Sequence, residues 1–202
     1  MEQRKELKYF YIGDSYGGNQ QWFKSFMMRL GGCGAQTACD ACIYFAKNFG
    51  MKKLCPFADE NLSREQYVAF SEVMRPYLRP RMGGINTLSV FIAGFERYIT
   101  DRRGTITMRA LAGEQPYAET SETIKLQIDK GFPIPCLILK HVDPDMSDFV
   151  WHWFMLAGYD ESGHRTLRVK TVTYGRYKWV DLAKLWDTGC EPKGGLVLFD
   201  VA

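Results

Sequence analysis

Between Cys33 and Asn48 the apolar positions Ala38, Ala41, Cys42 and Phe45 recur at three and four, with Phe49 next in the series. That period predicts a central, buried helix, closed by Gly50. Ahead of it, "NQQWFKSFMMRL" (19 to 30) reads as a shorter helix broken by Gly31 and Gly32, and "ELKYFYIG" (6 to 13) as a strand running into a glycine loop. Ser63 and Gln66 form a capping box for a helix reaching about Leu78, where Pro80 stops it. A stripe of Leu88, Phe91, Ile92, Phe95 and Ile99 predicts one more helix over 87 to 101.

After residue 104 the pattern changes. A strand near 105 to 111 and a helix near 120 to 130 are followed by "FPIPCLILKH" (132 to 141), "FVWHWFMLAGY" (149 to 159), "TLRVKTVTY" (166 to 174) and "GLVLFDV" (195 to 201), all read as strands. "WVDLAKLW" (179 to 186) reads as a short helix between the last two. "DESG" (160 to 163) turns one long strand back into the next, so that pair is an antiparallel hairpin. Helices first and antiparallel strands later predict an α+β fold and argue against a parallel doubly wound sheet. The expected organisation is one domain over 1 to 202, with 51 to 104 as a mainly helical insertion.

Composition narrows the function. The 202 residues carry 26 Lys and Arg against 23 Asp and Glu, a net charge of +3, and the basic residues are scattered apart from "RPYLRPR" (75 to 81) and "DRR" (101 to 103). Such a balance argues against a nucleic-acid partner. No apolar run approaches a membrane span, and the N-terminus lacks a signal-peptide pattern, so the expectation is a cytoplasmic protein with no membrane partner. Six cysteines in a chain of this size do not resemble a disulfide scaffold, which makes them thiols, ligands or catalysts.

Three of the six stand in "GGCGAQTACDAC" (31 to 42). A metal site would draw on Cys33, Cys39, Cys42 and Cys55. Against it, Cys39 and Cys42 fall inside the helical pattern, where they pack as small hydrophobes, and a second closely spaced pair is missing. A redox pair fares no better, because its place at a helix start belongs to Cys33. Cys33 differs in kind: glycines flank it, and the helix that begins there aims free N–H groups and a partial positive charge at its first residue. That setting favours thiolate and supplies donors for an oxyanion. A nucleophilic cysteine needs a base, and of His141, His152 and His164 only His152 lies in mid-strand, between Trp151 and Trp153.

With these residues in place, "GGCGAQTACDACIYFA", "IDKGFPIPCLIL" and "HWFMLAGYDESG...LRVKTV" resemble papain-like cysteine peptidases, nearest to the bacteriocin-processing branch. The resemblance covers mainly 19 to 50 and 124 to 174. It implies a papain-like fold with the central helix packed on an antiparallel sheet, a peptide or amide substrate, no cofactor, Cys33 as nucleophile and His152 as general base. The family's Asp or Asn falls at Thr171. A hairpin turning about Glu161 and Ser162 also sets Thr171 opposite His152, where its hydroxyl can bond the ring but supplies no charge. His164 and an acid such as Asp181 are the alternatives for this third position. The family's oxyanion glutamine stands about six residues before the cysteine, where this chain has Met27; Gln21, with Gln20 beside it, is the expected substitute.

Two other readings compete. "GDSYG" (13 to 17) fits a serine-esterase block, but the final 38 residues hold no histidine to complete it. A papain-like scaffold with threonine in place of the acid could also serve as a peptide-binding module whose Cys-His pair is idle.

Overall fold

The computed structural model describes residues 3–57, 61–81, 83–163 and 165–201. It is built of α-helices, one large antiparallel sheet, as the change of pattern near residue 104 predicts, and a separate two-stranded one. The N-terminal part contains β1 (Arg4–Glu6), a small hairpin of β2 (Tyr11–Ile12) and β3 (Ser15–Tyr16), α1 (Phe26–Gly31), α2 (Cys33–Asn48), α3 (Arg64–Met74) and α4 (Leu88–Asp101). Then come β4 (Ile106–Ala112), α5 (Tyr117–Asp129), β5 (Ile134–Ile138), β6 (His152–Asp160), β7 (Arg168–Thr173), β8 (Arg176–Asp181), α6 (Leu182–Trp186) and β9 (Gly195–Val201). The main sheet runs β4-β9-β5-β6-β7-β8, and β1 takes up β6 where β5 leaves it.

The segment that opens as a single expected helix at 19 to 30 is divided. Gln20–Trp22 form a 3-10 turn whose N-cap is Asn19, and α1 starts only at Phe26. The capping box of α3 forms as expected, with Ser63 Oγ accepting from Gln66 N and Gln66 Oε1 accepting from Ser63 N. α2 is buried from Cys33 to Ala46 and lies against β6. Its buried residues include Cys39 and Cys42, whose thiols burial pushes up, away from the thiolate a metal or redox site uses.

β8 is the element that sequence patterning misses. "RYKWVD" (176 to 181) was expected to belong partly to a helix, whereas it pairs residue for residue with β7, and only Leu182–Trp186 is helical. The turn joining β7 to β8 is two residues long, Tyr174 and Gly175, closed by the pair Thr173↔Arg176. Both central residues have positive φ, 51° and 73°, which is the twist-matched hairpin geometry. Asn-Gly is its common signature; Tyr-Gly hides it.

A second difference concerns the register of β6 and β7. A tight turn at 160 to 163 would set Thr171 opposite His152. Instead Asp160 pairs with Arg168, so 161 to 167 form the loop, and a bulge intervenes before Leu156 pairs with Thr171. Thr171 therefore sits four residues along from its expected partner. The shift is even, so Thr171 keeps the face of the sheet that His152 occupies.

Candidate functional site

Cys33 is the first residue of α2 and 4% exposed. Burial raises its pKa above that of an ordinary thiol, against the pull of the backbone N–H groups of Trp153 and Gly34, which lie on the sulfur. The helix start is pinned to β6 through one segment: Gly34 packs against Ile85 and Trp153, and Trp153 Nε1 donates to Ile85 O at 2.6 Å. Thus the thiol meets the backbone of the residue that follows His152.

His152 opens β6, paired with Ile138, and is 3% exposed. β7 joins β6 only from Met155 onward, so the start of β6 has no ladder partner on that side. Into this gap the imidazole turns its two nitrogens. Nε2 lies 2.6 Å from Thr173 Oγ1, and Nδ1 lies 3.4 Å from the hydroxyl of Tyr174, whose ring stacks on the imidazole at 4.6 Å and 6°. Burial lowers the His152 pKa to about 4, while the negative charge of Asp148 works in the opposite direction. Among the described residues no hydrogen bond joins the Cys33 thiol to the ring.

The expected partners fall out as follows. Among the described residues Thr171 makes no hydrogen bond to His152; its hydroxyl donates to Lys178 O at 3.1 Å. Thr173, two residues further along the same face, takes that place. Asp181 caps α6, accepting from Ala183 N and Lys184 N as well as from Thr166 Oγ1, so it is no acid for His152. His164 lies outside the described residues. Gln21 is exposed on the 3-10 turn and lines a pocket of about 290 Å³ together with Asn19, Asp148, Thr173 and Tyr174, with no contact that ties its amide to Cys33. Gln20 is buried, and its Nε2 donates to Arg29 O at 2.8 Å. Ser15 of "GDSYG" donates to Gly17 O in the β2–β3 hairpin and makes no bond to a histidine among the described residues, which removes the main requirement of a serine esterase.

A second pocket, of about 310 Å³, is lined by Trp151, the residue before His152. Leu88, Leu139, Trp151 and Pro192 give it apolar walls, and Trp151 reaches into it from a backbone at φ 52° while remaining half exposed. A bulky side chain in the left-handed region is held there at a cost of about 1 kcal/mol or more. Tyr174 meets the same cost.

Residues missed by sequence reasoning are Thr173 and Tyr174, with Asp148 as the charge acting on the ring. The alternation of "RVKTVT" places Thr171 and Thr173 on one face, so the sequence contains both candidates and leaves only the register to choose between them. Asp40 was missed as well. Two turns beyond Cys33, it accepts from Tyr67 Oη at 2.7 Å, Tyr9 Oη at 3.2 Å and Gly18 N at 3.2 Å, and so fastens the 17 to 18 loop, which leads into the 3-10 turn, to α2. No protein-family model, curated protein or solved structure matches this chain. No helix among the described residues is long and apolar enough to cross a membrane.

Proposed function

We propose that this chain is a papain-like cysteine hydrolase acting on peptide or other amide bonds, with Cys33 as nucleophile, His152 as base and Thr173 as the residue that orients the imidazole. What supports the reading is a helix-start thiol with the N–H groups of Gly34 and Trp153 on its sulfur, while the residue before Trp153 in the chain is a buried histidine. With Nε2–H donating to Thr173, Nδ1 carries the lone pair that takes the thiol proton once the Tyr174 hydroxyl leaves it. Sulfur attacks the carbonyl as its proton passes to Nδ1, and the oxyanion forms beside the N–H groups at the helix start. Collapse breaks the C–N bond, His152 gives its proton to the leaving amine, and water then hydrolyses the thioester. The pocket lined by Thr173 and Tyr174, the two hydrogen-bond partners of His152, gives a substrate room next to the imidazole.

A peptide-binding module is the second reading, favoured because burial holds both the thiol and the imidazole neutral. The experiment is covalent labelling by a peptidyl epoxide library, read by mass spectrometry at Cys33. We expect an adduct in the wild type, none in Cys33→Ala, and at least tenfold slower formation in His152→Ala. Equal rates in wild type and His152→Ala would decide for the binding module.

A further inference from the structure

We propose that Tyr174 is a displaceable cap on His152: it occupies Nδ1 in the resting protein and leaves it when a peptide enters the adjoining pocket. The inference rests on the Cys33–His152 reading and says how that pair is kept idle.

Its basis is geometric. Tyr174 stands at the first central position of a two-residue hairpin turn, a place that asks for positive φ and favours Asn, Asp or Gly. An aromatic there is held against local preference by its surroundings. Gly175 N donates to Gly18 O at 3.0 Å, Tyr16 N donates to Gly175 O at 2.9 Å, and Asn19 Nδ2 donates to Tyr174 O at 3.2 Å. Three bonds from one loop thus fix the turn so that the phenol ring lies flat on the imidazole, with its hydroxyl 3.4 Å from Nδ1. Thr173 holds the other ring nitrogen, so neither is open to the thiol. Tyr174 is also close enough to Cys33 for a charge on sulfur to disfavour its own ionisation.

The cap is built to move. Tyr174 is 36% exposed at the tip of a hairpin and forms one wall of the 290 Å³ pocket, and its side chain can rotate while the three backbone bonds stay in place. A peptide filling that pocket competes for the space the ring occupies. Binding then favours the uncapped arrangement by the difference in its affinity for the two states.

The test compares a small probe with a pocket-filling one. Iodoacetamide is too small to displace the ring; a peptidyl epoxide displaces it as it binds. Tyr174→Asn keeps the turn and removes the ring, and Tyr174→Phe removes only the hydroxyl. We expect iodoacetamide to label Cys33 about tenfold faster at pH 7 in Tyr174→Asn and about threefold faster in Tyr174→Phe, with less than a twofold change in the limiting rate at saturating epoxide. The gain should appear as a new limb of the rate-against-pH curve below the range of an ordinary thiol, and Tyr174→Asn/His152→Ala should lose it. An unchanged iodoacetamide rate overturns the cap, and so does a gain that survives His152→Ala, since that reports only better access to sulfur. Failure of the peptidase reading looks different: epoxide labelling of the wild type is then indifferent to His152.

Discussion

Asp40 and His152 are both buried, and at both burial opposes the charged form, yet their surroundings are opposite in kind. Asp40 lies in the middle of α2 with two tyrosine hydroxyls and a backbone N–H donating to it, which leaves little capacity unused. His152 lies at the end of a strand whose β7 ladder has not begun, with one close partner, one long one and a pocket alongside. A fully satisfied buried carboxylate fastens one chain segment to another. A sparsely partnered imidazole on a pocket can exchange partners, which a base has to do.

The sharpest way to separate the two is by pH, because their shifts point in opposite directions. Burial raises Asp40 from 3.8 to about 7, so its contribution to stability is complete below about pH 4 and is lost as pH rises through about 7. Burial lowers His152 from 6.5 to about 4, so its contribution is complete above pH 6.5 and is lost as pH falls through about 4. In the wild type the two trends largely cancel between pH 4 and 6.5. Each single variant exposes the other: Asp40→Asn should lose on the order of 3 kcal/mol on going from pH 6.5 to 4, and His152→Gln on the order of 4 kcal/mol on going from pH 4 to 7. Urea unfolding at fixed temperature across this range measures both. Parallel curves for the two variants would end the comparison.

Gly18→Ala comes next in size and bears first on Asp40, although Gly18 O also holds the Tyr174 turn. A Cβ at that position would stand 1.8 Å from Tyr67 Oη and 2.7 Å from Asp40 Oδ1, both fixed in a buried hydrogen-bond set. Overpacking of this kind costs about 3 kcal/mol. The loss should register in the denaturant midpoint at pH 8, while epoxide labelling of Cys33 in the folded protein stays within a factor of two. A large loss of labelling with stability intact would place the 17 to 18 loop in the reacting site.

How much of this was legible in the sequence depends on the range of the interactions that decide each feature. α2 and the capping box of α3 rest on contacts within four or so residues, and patterning locates both. So does the α+β order, since helical and strand periods differ in the chain itself. Cys33 and His152 were visible as candidates because a glycine-flanked helix start and an imidazole between two tryptophans are written in adjacent residues, although His152, expected in mid-strand, proves to open its strand. Thr173 was not, because its identity depends on a bulge and a seven-residue loop that shift the β6–β7 register by four. A bulge arises from packing across the sheet, which no single strand encodes. Tyr174 and β8 were hidden by the same turn, whose Tyr-Gly pair is stabilised by bonds to residues 16, 18 and 19, far away in sequence. Asp40 escaped for a related reason: its donors come from Tyr9, Gly18 and Tyr67, and in the helical pattern it looks like a solvent-facing acid.

The pair Thr173 and Thr171 gives the smallest effects and the finest discrimination. Thr173→Ala removes the close partner of Nε2, so the imidazole loses its orientation and Nε2 its preference for the proton. Labelling of Cys33 by the peptidyl epoxide should fall about tenfold, equivalent to about 1.4 kcal/mol, with stability lowered by no more than about 1 kcal/mol. Thr171→Ala removes a comparable hydroxyl from the same sheet face, one bonded to Lys178 O and not to the ring. Its stability cost should be similar, about 1 kcal/mol, and its effect on labelling nil. Because the two residues match in type, strand and face, a difference in labelling between their alanine variants reports contact with His152 and not general loosening of β7. Equal losses in both would return the question to the register, and would favour the arrangement in which Thr171 faces His152.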